Sequence, residues 1–441
     1  MQQTQSNIYT PYTLPCGIRL KNRLAKAAME ENMAGIDMQP DHALFSLYRY
    51  WAHGGLGMII TGNVMVDDRA ITGPGTVVIP LVGNLDRFKR WSSVIKSGGA
   101  KAIMQLNHPG RQMPKSISCT ALAPSAIPLK LGRYSKRFAR PVAMTCEQIH
   151  DVTHRFAQAA KRAKEAGFDG VEIHAAHGYL LSQFLSPLSN QRQDEWGGSL
   201  KNRARLLLNV VCQVRAQCGN NFIVMVKLNS GDFQRGGLSP DEASVVVELL
   251  DKLNVDLLEL SGGNYESPAM QGRGEKEAEL GKNAYFLSFA KAISSRVAMP
   301  VMTTGGITSK KTAEKAISDG CAVVGMASAL AFTPDLVNKW QQKDDYLGVN
   351  PTCDWKDATL ASVVVMAKVR RQLRRLGNDL TTMRNPTNFW SLLLDTLHRH
   401  KMISLYKKYL HKQNHHVAKP VRSVKRYVSS HVVSDVPSRD L

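Results

Sequence analysis

The amino-acid sequence predicts an α/β fold, a (β/α)8 TIM barrel with a C-terminal helical extension and a basic tail. Three observations carry that expectation. Eight short apolar runs, mostly β-branched, alternate with helical patterns through residue 340 of 441, and eight such alternations suffice to close a parallel barrel. Glycines and titratable residues gather just after these runs, where barrel enzymes place their sites. Beyond Pro334 the alternation gives way to two long amphipathic patterns.

Taken in order, the predicted strands cover Leu24–Met29, Gly57–Thr61, Lys101–Leu106, Gly170–His174, Ile223–Leu228, Asp256–Leu260, Pro300–Thr303 and Ala322–Gly325. Thr145-Cys146-Glu147-Gln148 reads as a capping box ahead of Phe156, Ala159, Ala160 and Ala163, with Gly167 as the stop. Ser239-Pro240-Asp241-Glu242 combines an N-cap, a proline at the first helical position and an acidic third residue. A doubly wound sheet is the structural alternative, but no G-x-G-x-x-G turn follows the first strand to support it. Asp354–Leu376 and Asn388–Leu410 read as amphipathic helices, the first with Lys368, Arg371, Arg374 and Arg375 on its polar side. From His411 onward no periodicity remains, which predicts a loosely ordered tail. The expected division is a barrel over 1–340, a helical extension over 341–412 and a basic tail over 413–441.

The net charge is +21, and it is uneven: residues 341–441 hold 18 Lys and Arg against 8 Asp and Glu, a net of +10. Such an excess favours contact with polyanions or anionic membrane surfaces, and it equally describes a solvated face with no partner. No apolar run approaches the roughly 18 residues of a membrane span, so none is expected. The opening Met1-Gln2-Gln3-Thr4-Gln5 has neither a charged nor an apolar signal region. Seven cysteines, scattered from Cys16 to Cys353 without a C-x-x-C pair, fit reduced thiols better than disulfides, zinc or an iron–sulfur cluster. A cytoplasmic protein without a bound metal is the expectation.

The densest chemistry follows the fourth predicted strand. Val171-Glu172-Ile173 runs into His174-Ala175-Ala176-His177-Gly178-Tyr179-Leu180, two imidazoles and a phenol at a strand end. They suit a catalytic rim, although two histidines three residues apart also suit a metal site or a core. The seventh strand ends in Thr303-Thr304-Gly305-Gly306-Ile307. Glycines there let backbone approach a phosphate, while a Gly-Gly pair elsewhere is usually only a turn.

Downstream of Tyr179 come Ser182-Gln183-Phe184-Leu185-Ser186-Pro187, Asn190-Gln191-Arg192, Asp194-Glu195-Trp196-Gly197-Gly198-Ser199 and Asn202-Arg203. With the Gln105-Leu106-Asn107-His108-Pro109-Gly110-Arg111 run, this stretch closely resembles the Old Yellow Enzyme family of FMN-dependent NAD(P)H oxidoreductases. The resemblance spans about residues 8–337 and recurs at nearly every strand end. It implies bound FMN, NADH or NADPH as hydride donor, and an α,β-unsaturated carbonyl compound as acceptor. It also implies that His174 and His177 hydrogen-bond the substrate carbonyl and that Tyr179 is the general acid. The flavin would lie against Ala27, Ala28, Met29, Glu30, Asn63, Gln105, His174 and Lys227. Its phosphate would lie by Gly305, Gly306, Gly325, Ala327 and Ser328, with Tyr285-Phe286 nearby. Taken alone, Lys227 could instead pair with a carboxylate, and Gln105 could satisfy buried backbone.

Four positions depart from the family pattern. Glu30 stands where many relatives have Cys or Thr, and Asn63 where a small residue is common. Lys227 replaces an arginine and loses its planar fork. Gly325-Met326-Ala327-Ser328 lacks the usual Gly-Arg pair. Two other readings compete. A flavin barrel acting on tRNA would usually carry a cysteine in an N-P-x-C-P-like loop, which is absent. The other is a basic barrel, flavin-binding or flavin-free, recruited as an interaction protein, which absence of bound flavin and tight, salt-sensitive binding to polyanions would favour.

Overall fold

A computed structural model describes residues 7–267 and 286–417. Eight strands form the barrel: β1 Leu24–Lys26, β2 Met58–Met65, β3 Lys101–Asn107, β4 Gly170–Ala175, β5 Ile223–Asn229, β6 Leu257–Ser261, β7 Val301–Thr303 and β8 Val323–Met326. Every neighbouring pair is parallel, and β8 pairs with β1 to close the ring. All eight predicted strands are present, each end within a few residues of its expected place. The largest shifts are at β1, which stops at Lys26, and at β2, which continues through a bulge between Ile60 and Asn63 to Met65.

The period-2 alternation of a strand sorts these residues onto two faces. Ala25, Met58, Ile60, Ile103, Ile223, Met225, Leu257, Met302 and Val323 pack as one apolar cluster, the lower filling of the barrel. Two residues further along the same faces lie Ala27, Gln105, Lys227, Glu259, Thr304 and Gly325, with Glu172 and His174 on the matching face of β4. The interior therefore changes from apolar to polar toward the strand C-termini. Outward residues such as Val171, Ile173, Val224 and Leu258 join the second cluster, between strands and helices.

The surrounding helices are α1 His42–Ala52, α2 Asp86–Lys96, α3 Cys146–Glu165, α4 Leu200–Cys218, α5 Pro240–Asp251, α6 Leu287–Ser294, α7 Lys310–Ser318 and α8 Leu336–Gln342. Both expected capping boxes form, at Thr145 with Gln148 and at Ser239 with Glu242. Lys26 is an outward surprise. It is fully buried between β1 and α1, pairs with Glu31 at 3.2 Å, and lies over the Trp51 ring at 4.4 Å.

Two further helices follow, α9 Ala358–Gly377 and α10 Asn388–Val417. The second runs past its expected end at Leu410 and past the expected end of the extension at residue 412; the remaining predicted tail lies outside the described residues. The pair crosses the C-terminal end of the barrel. Asp357, which caps α9, lies 3.9 Å from Arg133 in the loop after β3. Gly377, at the other end, meets the loop after β1, where an added Cβ would come 2.2 Å from Met33 Cε. Tyr406 of α10 packs with Met65, Ile71 and Val78 beyond β2. The polar side expected for α9 needs one correction. Arg374 is held with Arg370 against Asp395 of α10, at 2.9 and 2.7 Å, because two long helices facing each other must pair the cations they bury.

Candidate active site

The loop after β4 presents the aromatic groups. His177 has φ +60° and Gly178 φ +73°, a left-handed pair that reverses the chain within two residues. Such a backbone is costly for histidine and persists only when its surroundings hold it. Asn229 of β5 accepts the His177 N–H at 3.1 Å, and Gln112 donates to the His177 carbonyl at 3.1 Å. At Gly178 an added Cβ would sit 2.8 Å from Asn264 Cβ. The turn brings His174, His177 and Tyr179 into one edge-to-face cluster. The centroids lie 5.0 Å apart between the histidines and 4.9 Å between His174 and Tyr179.

Hydrogen bonds fix much of the proton inventory. His174 Nδ1 accepts the Ala176 N–H at 3.2 Å, so the neutral ring carries its proton on Nε2. His177 Nε2 lies 2.7 Å from Ser261 Oγ at the end of β6. Burial, and then the charge of Lys227, hold His177 neutral; burial, His177 and Lys227 do the same for His174. The Tyr179 hydroxyl is 3.1 Å from that of Tyr265. Burial, Tyr265 and Glu30 push the Tyr179 phenol well above its ordinary range, although a hydrogen bond with Asn63 opposes them.

Below this cluster lies a buried charge group. Lys227 Nζ is 2.5 Å from Glu259 Oε1, so Lys227 does pair with a carboxylate. Burial alone would lower the Lys227 ammonium, but the Glu259 carboxylate beside it outweighs burial and holds it charged. Burial and the charge of Glu259 drive Glu172 the other way, toward its protonated form. Gln105 donates to Glu172 at 2.6 Å, leaving its carboxamide oxygen for another partner.

A flat cofactor with an anionic tail fits these residues. Apart from the contact that a protonated Glu172 makes with Glu259, Glu172 Oε1 and Glu259 Oε2 are buried without a partner, so this polar floor keeps hydrogen-bonding capacity for a ligand. After β7, Gly305 and Gly306 take φ +94° and +71°, and successive left-handed glycines make a concavity of backbone N–H groups that suits a phosphate. Gly325 in β8 has no room for a side chain: an added Cβ would be 2.3 Å from Met302 Cε and 3.4 Å from Ala27 Cβ. Ala27 donates to the Met326 carbonyl, so the ends of β1 and β8 meet, with Ala327 and Ser328 just beyond. Ala28, Met29 and Glu30 leave the strand and form the loop at this seam. Phe286 opens the turn before α6, while Tyr285 lies outside the described residues.

Five participants had no role assigned from sequence: Asn229, Ser261, Tyr265, Glu172 and Glu259. The acids did leave a signal, since a charged residue in an apolar strand such as Leu257-Leu258-Glu259-Leu260 must find a partner inside.

The buried imidazoles also set an acid limit on the fold. Burial lowers His108 to about 4, and His174 and His177 are likewise depressed. The unfolded chain therefore takes up protons near pH 6.5 that the folded chain refuses, and stability falls as the pH drops from there toward 4. Denaturant unfolding at pH 7 and pH 5 should show this loss, and His108→Asn should reduce it. An unchanged slope in that variant would contradict the assignment for His108.

A closed barrel with a polar, ligand-accepting C-terminal rim is the architecture of a barrel enzyme, whose chemistry is set by the residues on that rim. The chain belongs to the NADH:flavin oxidoreductase / NADH oxidase family, whose pattern matches residues 7–345. It is 36% identical over 346 residues to the NADH-dependent flavin oxidoreductase iliE of Hypocrea jecorina (strain QM6a), covering 74% of this chain and 86% of the relative. It is 37% identical over 351 residues to the NADH-dependent flavin oxidoreductase iccE of Talaromyces variabilis, covering 73% and 83%. Its fold matches the old yellow enzyme homologue from Zymomonas mobilis with a TM-score of 0.67, at 23% identity over 78% of this chain and 94% of that one. The family match ends before α9, so the roof made by α9 and α10 lies outside it. Among the described residues, no helix is long and apolar enough to cross a membrane.

Proposed function

We propose that this enzyme reduces the activated C=C bond of α,β-unsaturated carbonyl compounds in two half-reactions, with NADH or NADPH as the first substrate. The observation that carries the reading is the cluster of two neutral imidazoles and one protonated phenol above a polar barrel floor. FMN, when bound, supplies the store that takes a hydride from the nicotinamide and passes it to the acceptor's β-carbon. Ala27, Ala28, Met29, Glu30, Asn63, Gln105, His174 and Lys227 would hold its ring system, and Gly305, Gly306, Gly325, Ala327 and Ser328 its phosphate.

The remaining work belongs to the side chains. His174 offers a proton on Nε2 as a hydrogen-bond donor, and His177 offers its ring from a fixed turn. Together they stabilise negative charge developing on the substrate carbonyl oxygen. Tyr179 delivers a proton to the α-carbon, where a strongly basic enolate accepts it even from a weak acid. Tyr265 positions the Tyr179 hydroxyl. Within the same reading, 1–340 is the catalytic barrel, and the basic residues of 341–441 add weak, salt-sensitive contact with anionic surfaces.

The test is a visible spectrum of the purified protein, then anaerobic reduction with NADH and NADPH, then reoxidation by a panel of enones. Flavin absorbance bleached by a nicotinamide and restored by an enone is the expected result. A reduced enzyme that reoxidises with oxygen but with no enone would overturn the acceptor class.

A further inference from the structure

The helix α10 has two unlike sides. Ser391, Asp395 and Tyr406 recur at helical spacing and are buried, the first two against α9 and the third against Met65, Ile71 and Val78. On the other side Phe389, Trp390, Leu394 and Leu397 stand 62%, 54%, 42% and 58% exposed. The Phe389 and Trp390 rings pack edge to face, with centroids 5.7 Å apart. Large apolar side chains grouped in water mark a binding surface.

Further along the helix this side turns basic, with Lys401, Lys407 and Lys408 all exposed. Asp395, the one acidic residue of α10, is buried against Arg370 and Arg374. Among the described residues no carboxylate lies within ion-pair distance of the three lysines. Between Asp395 and Asp435 the chain holds nine Lys and Arg and no acidic residue. Apolar side chains followed along one helix by unneutralised cations are the two signals that hold a protein at an anionic bilayer. The first enter the interface and the second meet lipid phosphates. Charge and chemistry together select this occupant. The protein carries +21, so a second copy approaching by this face is repelled. Nucleic acid would satisfy the lysines but leaves Leu394 and Leu397 in water.

We propose that the outer side of α10 docks on an anionic phospholipid surface, with Phe389, Trp390, Leu394 and Leu397 inserted among the headgroups and Lys401, Lys407 and Lys408 on the phosphates. This rests on the weak anionic-surface contact proposed above and goes beyond it. It assigns the contact to one helix side and adds an apolar half that salt does not screen. Among the described residues no helix is apolar enough to cross a bilayer, so α10 lies in the interface.

The test mixes the full-length, flavin-loaded enzyme with vesicles of phosphatidylcholine alone or blended with phosphatidylglycerol, and reads binding by co-sedimentation. Wild type should bind the blended vesicles far more tightly than phosphatidylcholine alone. A variant with Lys401→Gln, Lys407→Gln and Lys408→Gln should bind them about a hundredfold more weakly, the usual worth of three cations at such a surface. A variant with Phe389→Ser, Trp390→Ser and Leu397→Ser should lose at least about tenfold, and high salt should abolish the remainder. The emission of Trp390, taken as the difference between wild type and Trp390→Phe, should shift to the blue on the blended vesicles. Flavin content and turnover in buffer should match wild type in every variant, because these residues face away from the barrel. Wild type that ignores the blended vesicles overturns the proposal. So does a serine variant that binds them as tightly as wild type, which leaves a polyanion contact alone, of the kind nucleic acid would satisfy. A wild type that is dimeric in buffer beside a monomeric serine variant also overturns it, since a second copy then covers the face. Vesicle binding involves no turnover, so failure of the enone reading leaves each of these outcomes unchanged.

Discussion

Tyr179→Phe is expected to slow reoxidation by an enone about 10²–10⁴-fold, the usual contribution of a positioned general acid, while reduction by NADH stays within a few-fold of wild type. The substitution removes one hydroxyl and keeps the ring that packs edge-on to His174 at 4.9 Å. Burial beside Tyr265 and Glu30 keeps that phenol protonated, so it enters the oxidative step already carrying the proton it gives. Hydride arrival from a nicotinamide needs no such proton, and this separates the two half-reactions. His174→Ala and His177→Ala should behave differently, weakening acceptor binding as well as the oxidative step, because they would remove the proposed contacts to the acceptor carbonyl. Stopped-flow traces of each half-reaction distinguish the patterns. A Phe variant that reoxidises at the wild-type rate would take Tyr179 out of the acid role.

The barrel was legible because its strands are apolar runs separated by capped helices, and both signals are local. Thr145 with Gln148 and Ser239 with Glu242 could be read three residues apart, and both boxes form. The strand-end rule likewise points to His174, Tyr179 and Gly305-Gly306, which lie at or just after the C-terminal ends of β4 and β7. What escaped was contact between distant segments. Ser261 reaches His177 across 84 residues and Tyr265 reaches Tyr179 across 86; no local spacing encodes either. The roof escaped for the same reason. Arg370 looks like one more surface cation in Lys368–Arg375, yet it is buried against Asp395 once the two helices face each other. The end of α10 was placed short because its last turns, rich in Lys and His, carry no apolar period to follow.

Lys227→Met is expected to lower folding stability by roughly 3–5 kcal/mol at pH 8, the usual cost of leaving a buried charge without its partner. The Lys227 and Glu259 side chains are 4% and 0% exposed, so water screens neither. The wild-type group balances as one ammonium, one carboxylate and a Glu172 held protonated by burial and by Glu259. Without the ammonium, the remaining negative charge is relieved only by taking up a proton. The folded variant then binds more protons than its unfolded chain, so its stability falls as the pH rises. The penalty should accordingly be small near pH 5.5 and large at pH 8. Adding Glu259→Gln should restore most of the loss at pH 8, because the pair is then replaced rather than broken. Denaturant unfolding of wild type, Lys227→Met and the double variant at both pH values reads all three effects. A single variant as stable as wild type at pH 8 would mean that this pair does not carry buried charge, and the polar floor assigned to the cofactor would need a different electrostatic account.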